Sequence, residues 1–307
     1  MQYDISVVIL TYNQEKYVMQ TLRSIINQKT CYSFEVIVAD DCSSDGTPDI
    51  IRKVADKNDN VYPIFNKHNM GLIDNYCSAL KSCHGKYIMI CGGDDCWLPG
   101  KIDKQMECML ANDDVGMSYG LAYIIDENGE KLSGIIGSPR CTSYHGLIRG
   151  NSICASTACF KESLWKQYIN EIGDHIKEWK MEDYPFWLWI SKNSRIRFIE
   201  EGLTCYRIVN GSISHQVSKY RQIEFENSVY AVKTYFAEEN DRELLRKDYI
   251  DNIAHINYCF RDMKGYRAML RKRNDLVGTM RLMISYIPLY FQIRDARRKL
   301  LGTIRGE

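Results

Sequence analysis

The sequence lacks most of the features that would assign a protein to a special class at once. The formal net charge of the 307 residues is only +1, so no overall positive field indicates nucleic acid as a partner. The first residues lead directly into an apolar segment, without the charged and apolar regions of a secretory signal peptide. The apolar run at residues 282–293 is about a dozen residues long, whereas crossing a bilayer takes about 20. We therefore expect a globular cytoplasmic protein that binds no nucleic acid.

Cysteine pairs with metal-binding or redox spacing are also missing. The chain has 12 cysteines, but no two of them form a CxxC pair. The nearest neighbours, such as Cys91 with Cys96 and Cys154 with Cys159, fit neither a zinc knuckle nor a redox dithiol. Without a secretion signal, we expect reduced thiols, most of them buried in the core.

Alternating strand-like and helix-like segments fill the first hundred residues. The predicted segments are strands at residues 5–10, 34–39, 61–65 and 87–91, and helices at residues 15–28, 47–55 and 72–83. Such alternation implies right-handed crossovers and a mostly parallel, Rossmann-like sheet of the α/β class. In sheets of this kind the ligand lies beyond the carboxyl ends of the strands.

Polar side chains follow each of the four predicted strands. The strand ends are Thr11-Tyr12-Asn13, Asp40-Asp41, Asn66 and Gly92-Gly93-Asp94-Asp95. Because the carboxyl ends of parallel strands share one edge of the sheet, the sequence predicts a binding crevice there.

Asp94 and Asp95 are the clearest indication of chemistry in this crevice. Mg²⁺ and Mn²⁺ prefer oxygen ligands, usually one or two carboxylates together with phosphate oxygens. Gly92 and Gly93 in front of them are expected to leave room for a diphosphate close to the backbone. A lone pair of aspartates is more often a solvated turn, but its register with three other polar strand ends favours a metal site.

Asp40 and Asp41 form a second acidic cluster. The residues after them read as a turn and a helix start, with Asp45 or Thr47 as the N-cap. A turn alone does not account for two carboxylates directly after a buried strand, where one of them could accept a hydrogen bond from a base N–H.

Glu182 and Asp183 form the third cluster, just before the aromatic stretch at residues 184–189. Two interpretations are equally well supported. The acids could favour the dipole at the start of a helix, or one of them could serve as a general base with a pKa raised by its apolar surroundings.

In their order along the chain, these motifs resemble those of family 2 glycosyltransferases of the GT-A fold, over residues 5–214. The matching motifs are Ser6-Val7-Val8-Ile9-Leu10-Thr11-Tyr12-Asn13, Asp40-Asp41-x-Ser43-x-Asp45-Gly46-Thr47, Asn69-x-Gly71-x-x-x-Asn75, Asp94-Asp95-x-x-x-Pro99, Glu182-Asp183 and Tyr206-Arg207. Each motif is weak by itself, whereas six in the family's order are specific.

The resemblance implies an inverting transfer of a sugar from a nucleotide-sugar, expected to be a UDP-sugar, to an acceptor hydroxyl. It implies Asp183 as the general base with Glu182 beside it, and Mn²⁺ or Mg²⁺ held by Asp95 and Asp94. The residues expected at the nucleotide are Thr11, Tyr12, Asn13, Asp41, Asn69, Asn75, Asp94 and Arg207. Many relatives carry a further acid at the position of Gly92, so the residue that binds the metal directly is left open.

Beyond residue 100 the pattern changes twice. Further strands are predicted at residues 115–125, 151–160 and 196–208, and a helix at residues 183–191. After about residue 215 only helices are predicted, with a break at Pro288. The expected organisation is a GT-A catalytic domain at residues 1–214, with a nucleotide half at 1–100, an acceptor half with a small antiparallel addition at 101–214, and a helical, basic region at 215–307.

The basic C-terminal region allows two interpretations. Its apolar run, followed by Arg294, Arg297, Arg298 and Lys299, could lie on the inner face of the cytoplasmic membrane as an interfacial helix. Equally, it could pack on the catalytic domain or on a second copy in a homo-oligomer. The resemblance suggests a glycan or glycolipid acceptor, in the synthesis of bacterial surface polysaccharide or glycolipid.

Two other functions stay open at this point. A nucleotidyltransferase of similar fold would need a glycine-rich, basic loop after the first strand, where the sequence has Thr11-Tyr12-Asn13-Gln14-Glu15-Lys16. An inactive family member could act as a binding or scaffold subunit, although the retained acids at positions 94, 95, 182 and 183 argue against this.

Overall fold

The structure is a computed structural model that describes residues 3–209 and 218–286. The chain divides into two compact units, Met1–Asn210 and Gly211–Glu307. The first unit combines strands and helices, and the described part of the second is helical. The domain boundary predicted at residues 214 and 215 lies outside the described residues and stays a prediction.

The first unit is built on one mixed sheet. Its described strands are β1 (Ile5–Thr11), β2 (Phe34–Asp40), β3 (Val61–Phe65), β4 (Tyr87–Gly92), β5 (Cys96–Trp97), β6 (Val115–Ile125), β7 (Lys131–Ile136), β8 (Cys159–Lys161) and β9 (Arg195–Arg207). Its described helices are α1 (Val18–Ile26), α2 (Thr47–Ala55), α3 (Leu72–Lys81), α4 (Lys101–Leu110), α5 (Tyr144–Arg149), α6 (Glu162–Ile172) and α7 (Tyr184–Asn193). The strands follow the order β3-β2-β1-β4-β8-β6-β9-β5, and β7 pairs with β6.

Strands β1 to β4 form the parallel part that the sequence predicts. β1 pairs in parallel with β2 and with β4, and β2 pairs in parallel with β3. Val7, Val8 and Ile9 of β1 are fully buried, as expected for a strand that is covered on both faces. Val18 and Leu22 of α1 belong to the same hydrophobic cluster as Val7 and Ile9. The predicted α/β fold with alternating strands and helices is confirmed.

Strands β5 to β9 form the antiparallel addition. β8 pairs antiparallel with both β4 and β6, β7 with β6, and β5 with β9. Only the long pairing between β6 and β9 is parallel in this part of the sheet. The carboxyl end of β9 therefore comes beside β5, directly after the Asp94-Asp95 pair.

The segment predicted as a strand at residues 151–160 becomes a strand only at Cys159–Lys161. A loop and a 3-10 helix at Ala155–Thr157 precede it. The Asn151 side chain accepts a hydrogen bond from the Ile153 N–H at 2.9 Å. Local bonds of this kind compete with the strand ladder, which explains why the apolar pattern did not produce a longer strand.

The described part of the second unit contains the helices α8 (Lys219–Phe236), α9 (Arg242–Cys259), α10 (Met263–Arg273) and α11 (Leu276–Ile284). Apolar side chains of α9 and α10 form its core, and they are Ile250, Ile253, Ala254, Tyr258, Tyr266, Met269 and Leu270. The predicted helical character of this region is confirmed for these residues, whereas Pro288 and the basic residues 294–299 lie outside them. Every helix in the described ranges is too short or too polar to span a bilayer.

Candidate active site

Asp40 at the carboxyl end of β2 joins this strand to β1. The Thr11 hydroxyl at the end of β1 donates a hydrogen bond to Asp40 Oδ1 at 2.9 Å. The Ser43 hydroxyl donates to the same oxygen at 2.6 Å, and the Ser43 N–H donates to Oδ2 at 2.9 Å. Asp40 is buried, and its carboxylate stabilises the turn that follows β2. Thr11, predicted at the nucleotide, is buried in the same network.

Asp41 holds the loop that follows β3. Its buried carboxylate accepts hydrogen bonds on Oδ1 from Asn66 Nδ2 at 3.0 Å and from the Met70 N–H at 2.8 Å. The Gly71 N–H donates to Oδ2 at 2.8 Å. Gly71 has a φ of +84°, which glycine adopts without strain. Asp41 therefore determines the shape of this loop, and its predicted contact with a base stays a prediction.

Asn69 and Asn75 take different positions in the same loop region. Asn69 is exposed, and its Oδ1 accepts a hydrogen bond from the Gly71 N–H at 3.1 Å. Asn75 on α3 is buried, donates to the Ala39 carbonyl at 3.1 Å and accepts from Asn66 Nδ2 at 2.9 Å. Asn75 thus supports the loop from inside, whereas Asn69 lies at its surface.

Tyr12 and Asn13 follow β1. The Tyr12 side chain is 50% exposed. Asn13 has a φ of +53°, its N–H donates to Ser43 Oγ at 2.8 Å, and its Oδ1 accepts from the Ser44 N–H at 2.8 Å. These bonds use Asn13 Oδ1 within the protein, and both Asn13 and the Tyr12 ring are exposed at this strand end.

Asp94 and Asp95 lie after β4, and both carboxylates are deep in the protein. The Ser156 hydroxyl donates to Asp95 Oδ2, and the Arg207 N–H donates to Asp95 Oδ1 at 2.9 Å. Burial, and then repulsion from Asp94, raise the pKa of Asp95 to about 7. Burial also raises the pKa of Asp94, against an opposing effect of the Arg207 charge. Two adjacent carboxylates are therefore held where their negative charge is poorly stabilised.

Arg207 at the end of β9 is buried behind this pair. Its Nε donates to the Asp94 carbonyl at 2.8 Å, Nη1 donates to the Asp126 carbonyl at 3.0 Å, and Nη2 donates to Gln20 Oε1 at 2.8 Å. The guanidinium also lies 4.9 Å from the ring centre of Tyr17. Arg207 thus joins β9 to the Asp94-Asp95 turn, and its predicted contact with a diphosphate stays a prediction.

Gly92 and Gly93 serve the packing of neighbouring side chains. A Cβ at Gly93 would lie 2.2 Å from Gln14 Oε1 and 2.6 Å from Thr11 Cγ2. At Gly92 it would lie 2.9 Å from Asp94 Oδ1. The absence of a Cβ at Gly92 and Gly93 allows these side chains to lie against the backbone. The sequence, in contrast, predicts that a diphosphate would occupy the space beside these glycines.

The Asp94-Asp95 pair fits a hard divalent cation that takes its remaining ligands from a substrate. In residues 3–209 and 218–286, no cluster of three or more His, Cys, Asp or Glu side chains is placed to hold a metal by itself. Gln14 Oε1 is buried next to Gly93 and has no hydrogen-bond partner among the described residues. A cation here would stabilise both the carboxylates and this unpaired oxygen.

Glu182 and Asp183 directly precede α7. Asp183 Oδ1 accepts a hydrogen bond from the Tyr184 N–H at 2.6 Å, so Asp183 also caps the helix. Both residues reach the surface in part, but their carboxylates lie deep enough for burial to raise both pKa values. Burial and then the Asp183 charge raise the pKa of Glu182 to about 8. This favours a pair in which Glu182 holds the proton at neutral pH.

The surroundings of the Glu182-Asp183 pair are apolar and aromatic. All residues of α7 from position 184 to position 190 are buried. The Phe186 ring centre lies 4.9 Å from that of Tyr168 and 5.2 Å from that of Trp165. Tyr76 of α3 packs edge-on against Trp165, and its buried hydroxyl has no hydrogen-bond partner among the described residues. The donors near the pair are therefore few, and they include the Tyr76 hydroxyl and the Trp187 indole N–H.

The two acid pairs, distant in the sequence, affect the same buried thiol. Burial raises the pKa of Cys154, and the charges of Asp95 and, more weakly, Asp183 raise it further. Because such influence falls with distance, both carboxylates lie near this residue. The structure thus brings the predicted metal residues and the predicted base to one region of the first unit.

Three side chains at the site were missed by the sequence analysis. Ser156 binds Asp95, and the Thr21 hydroxyl of α1 bonds to the carbonyl oxygens of Gly93 at 2.8 Å and Asp95 at 2.7 Å. Gln14 lies beside Gly93. Gln14 directly follows the predicted strand end Thr11-Tyr12-Asn13 and could have been included on that basis, whereas the other two are single hydroxyls with no signal of their own.

Comparison with known proteins gives a consistent result. Residues 6–168 match the sequence model of the family "Glycosyl transferase family 2". The chain is 30% identical to the E. coli UDP-Glc:alpha-D-GlcNAc-diphosphoundecaprenol beta-1,3-glucosyltransferase WfaP, over 73% of this chain and 84% of WfaP. It is 26% identical to the putative teichuronic acid biosynthesis glycosyltransferase TuaG of Bacillus subtilis, over 72% of this chain and 88% of TuaG.

Solved structures share the fold at low sequence identity. TarS 1-349 of S. aureus, in complex with UDP-GlcNAc, superimposes with a TM-score of 0.60 at 18% identity, covering 87% of this chain and 90% of TarS 1-349. The mannosyltransferase PcManGT from Pyrobaculum calidifontis, in complex with GDP-Man and Mn²⁺, gives a TM-score of 0.61 at 15% identity, covering 98% of this chain and 86% of PcManGT. These likenesses support the GT-A architecture of the chain.

Proposed function

The chain belongs to glycosyl transferase family 2, and from this premise we infer an inverting, metal-dependent enzyme that transfers a sugar from a UDP-sugar to an acceptor hydroxyl. One observation carries the proposal. The charges of Asp95 and Asp183 both act on the same buried residue, Cys154, which supports a donor site and a base in one region of the first unit.

On the donor side, Asp95 and Asp94 would hold Mn²⁺ or Mg²⁺, which would neutralise the charge of the departing diphosphate. WfaP is named for UDP-Glc and TarS 1-349 was solved in complex with UDP-GlcNAc, which supports a UDP-sugar as the donor. Arg207 fixes the backbone of the acidic turn and adds positive charge behind it.

Around the nucleotide, we assign base recognition to Asp41 through the lone pair on Oδ2 that the Gly71 N–H leaves unused. The exposed Tyr12 ring is the stacking surface, and Asn69 lies at the loop surface. Thr11, Asn13 and Asn75 act indirectly in this proposal, because their side chains already bond within the protein.

On the acceptor side, Asp183 would remove the proton of the attacking hydroxyl. Burial and the Asp183 charge raise the pKa of Glu182, so we assign the proton of the pair to Glu182 and the accepting role to Asp183. The hydroxyl oxygen then attacks the anomeric carbon from the side opposite the diphosphate, the bond to the diphosphate breaks, and the configuration inverts. One protein base is sufficient, since the departing diphosphate needs no proton.

The family assignment decides against the two alternatives. A nucleotidyltransferase is not favoured by any feature of the site, and the glycosyltransferase relatives support an enzyme over a scaffold subunit.

For the acceptor, we infer a glycan or glycolipid at the inner face of the cytoplasmic membrane. WfaP is named for a diphosphoundecaprenol-linked acceptor. In α11 the side chains of Leu276, Met280 and Met283 are exposed, which supports a peripheral membrane contact of the C-terminal region. A homo-oligomer through the same residues is the competing arrangement.

The proposal is tested by incubating the purified protein with a panel of nucleotide-sugars and Mn²⁺ or Mg²⁺. We expect slow hydrolysis of one UDP-sugar that is lost with excess chelator, recovers when metal is restored and is abolished in Asp183→Asn. Exclusive use of a GDP-sugar would overturn the UDP assignment. Full activity in excess chelator would overturn the metal dependence.

A further inference from the structure

Lys101, the first residue of α4, is fully buried although it carries an ammonium group. Its relative exposure is 0%, and its Nζ lies 4.1 Å from the ring centre of Trp97. Among the described residues, no carboxylate forms an ion pair with it. Burying an unpaired charge is costly, so a residue of this kind calls for a function.

The titratable groups that face Lys101 from neighbouring elements are thiols. They are Cys91 on β4, Cys154 in the loop before the 3-10 helix and Cys159 on β8. Burial raises the pKa of each thiol, so all three are neutral in the working pH range. Burial lowers the pKa of Lys101 to about 8. Of these four groups, only the Lys101 ammonium changes its charge between neutral and moderately alkaline pH.

The Lys101 ammonium fixes the side-chain amide of Gln105, one turn later on α4. Lys101 Nζ donates a hydrogen bond to Gln105 Oε1, and Gln105 Nε2 donates to the Thr157 carbonyl at 2.7 Å. An ammonium can only donate and a carbonyl can only accept, so one orientation of the amide satisfies both. A neutral amine could also accept, and this constraint would be lost.

Gln105 connects in turn to the site through the 3-10 helix at Ala155–Thr157. This helix carries Thr157, bound by Gln105 from behind, and Ser156, whose hydroxyl donates to Asp95 Oδ2 in front. Gln105, Ser156 and Thr157 are all buried, so each bond is shielded from water. A continuous chain of hydrogen bonds and one short helix therefore connects Lys101 with Asp95.

We propose that Lys101 and Gln105 are positioning residues for Asp95, acting through the 3-10 helix that they hold from behind. The consequence for catalysis rests on the proposed function, in which Asp95 holds the metal of the donor complex. Loss of the Lys101 charge would then loosen the Ser156 contact and weaken binding of UDP with Mg²⁺. The affinity for this complex is expected to fall as the pH rises above about 8, because the folded protein loses the Lys101 proton there.

The test uses Lys101→Met, which keeps most of the apolar stem and removes the charge, with Lys104→Met as the matched control. Lys104 lies on the same helix but is partly exposed and pairs with Glu201 at 2.5 Å. Calorimetry with UDP and Mg²⁺ should show a loss of affinity of about tenfold for Lys101→Met, as is typical of groups that support metal ligands. The affinity of this variant should no longer fall above a pH of about 8, and Lys104→Met should behave like the wild type.

Thermal unfolding separates positioning from simple stabilisation. Lys101→Met removes an unpaired buried charge, so its melting temperature at neutral pH should equal or exceed that of the wild type. A purely structural role would lower stability and leave the pH dependence of binding unchanged. Wild-type affinity and wild-type pH dependence in a folded Lys101→Met would overturn the proposal.

Gln105→Glu keeps an acceptor for Lys101 and removes the donor to Thr157, and it provides a second test should Lys101→Met fail to fold. Hydrogen exchange of the amides at residues 154–159 should be faster in this variant than in Lys104→Met. This measurement needs no substrate. Unchanged exchange would overturn the proposal, whereas faster exchange in a protein that binds no UDP would leave the positioning role intact and refute the proposed function.

Discussion

The two acid pairs of the first unit differ in what surrounds them. Asp94 and Asp95 are bound by Ser156 and the backbone of Arg207, and the Arg207 guanidinium holds their turn. Glu182 and Asp183 lie beside aromatic side chains, and the Tyr184 N–H donates a hydrogen bond to the Asp183 carboxylate. The first pair is thus held rigidly, as a cation site requires. Burial raises the pKa values in both pairs, but only the second lies among aromatic side chains with few polar partners, as suits a proton acceptor.

Asp183→Asn should have the largest effect and would show most directly that the second pair handles a proton. We expect turnover to fall by about 10²–10⁴-fold, the usual contribution of a general base. Asparagine is also a good N-cap, so the start of α7 should persist and the melting temperature should not fall. Affinity for UDP, measured by calorimetry, should stay at the wild-type value. Near-normal turnover in Asp183→Asn would place the base elsewhere.

Asp95→Asn tests the opposite property of the first pair. Loss of a group that only supports a metal ligand typically weakens metal binding by about 10–100-fold. Removal of the Asp95 carboxylate itself should weaken binding of UDP with Mg²⁺ by at least this factor. UDP binding without metal should change little. Asp94→Asn, measured in parallel, identifies which carboxylate contributes more, and Asp56→Asn at the exposed end of α2 is the control. Equal metal dependence in all three variants would contradict a cation site at this pair.

The parallel half of the fold could be predicted closely because its signals are local. The helix at Thr47–Ala55 and the strand at Val61–Phe65 have the predicted bounds. Their apolar periodicity and flanking turns are contained within the segments themselves. The acidic strand ends could be predicted for the same reason, since each follows its own apolar run.

The supports of the site could not be predicted, because they join residues that are far apart in the sequence. Ser156 and Asp95 are 61 positions apart, and Arg207 and Asp95 are 112 positions apart. Neither contact leaves a pattern in the sequence. The buried position of Lys101 is a further case, since a lysine at the start of a helix normally lies in solvent.

Asp41→Asn tests nucleotide binding beside the first acid pair, and we expect a smaller loss of UDP affinity than for Asp95→Asn. Affinity for UDP should fall about tenfold, the value of a hydrogen bond to a charged group. The structure adds that the melting temperature should also fall, because the carboxylate binds Met70 and Gly71 in the loop after β3. Asn69→Ala, at the exposed surface of the same loop, is the control for stability. Unchanged UDP affinity in folded Asp41→Asn would refute its contact with the base.

Glu182→Gln should have the smallest effect on turnover and tests how the second pair shares its proton. Glutamine resembles the protonated Glu182 that we infer at neutral pH. Loss of a general base costs at least about 10²-fold in turnover, and we expect a smaller loss in Glu182→Gln. A larger loss than in Asp183→Asn would show that the roles of the two acids are reversed.

The stability of Glu182→Gln gives an independent check through its pH dependence. The pKa of Glu182 is raised from 4.5 to about 8 in the folded protein, so between these values the folded state binds more protons than the unfolded state. The contribution of Glu182 to stability is therefore present below a pH of about 4.5 and is lost as the pH rises through about 8. Thermal unfolding at several pH values should show Glu182→Gln gaining relative to the wild type over this range. A constant difference between the two proteins would mean that Glu182 is ionised throughout, and the proton of the pair would then have to reside on Asp183.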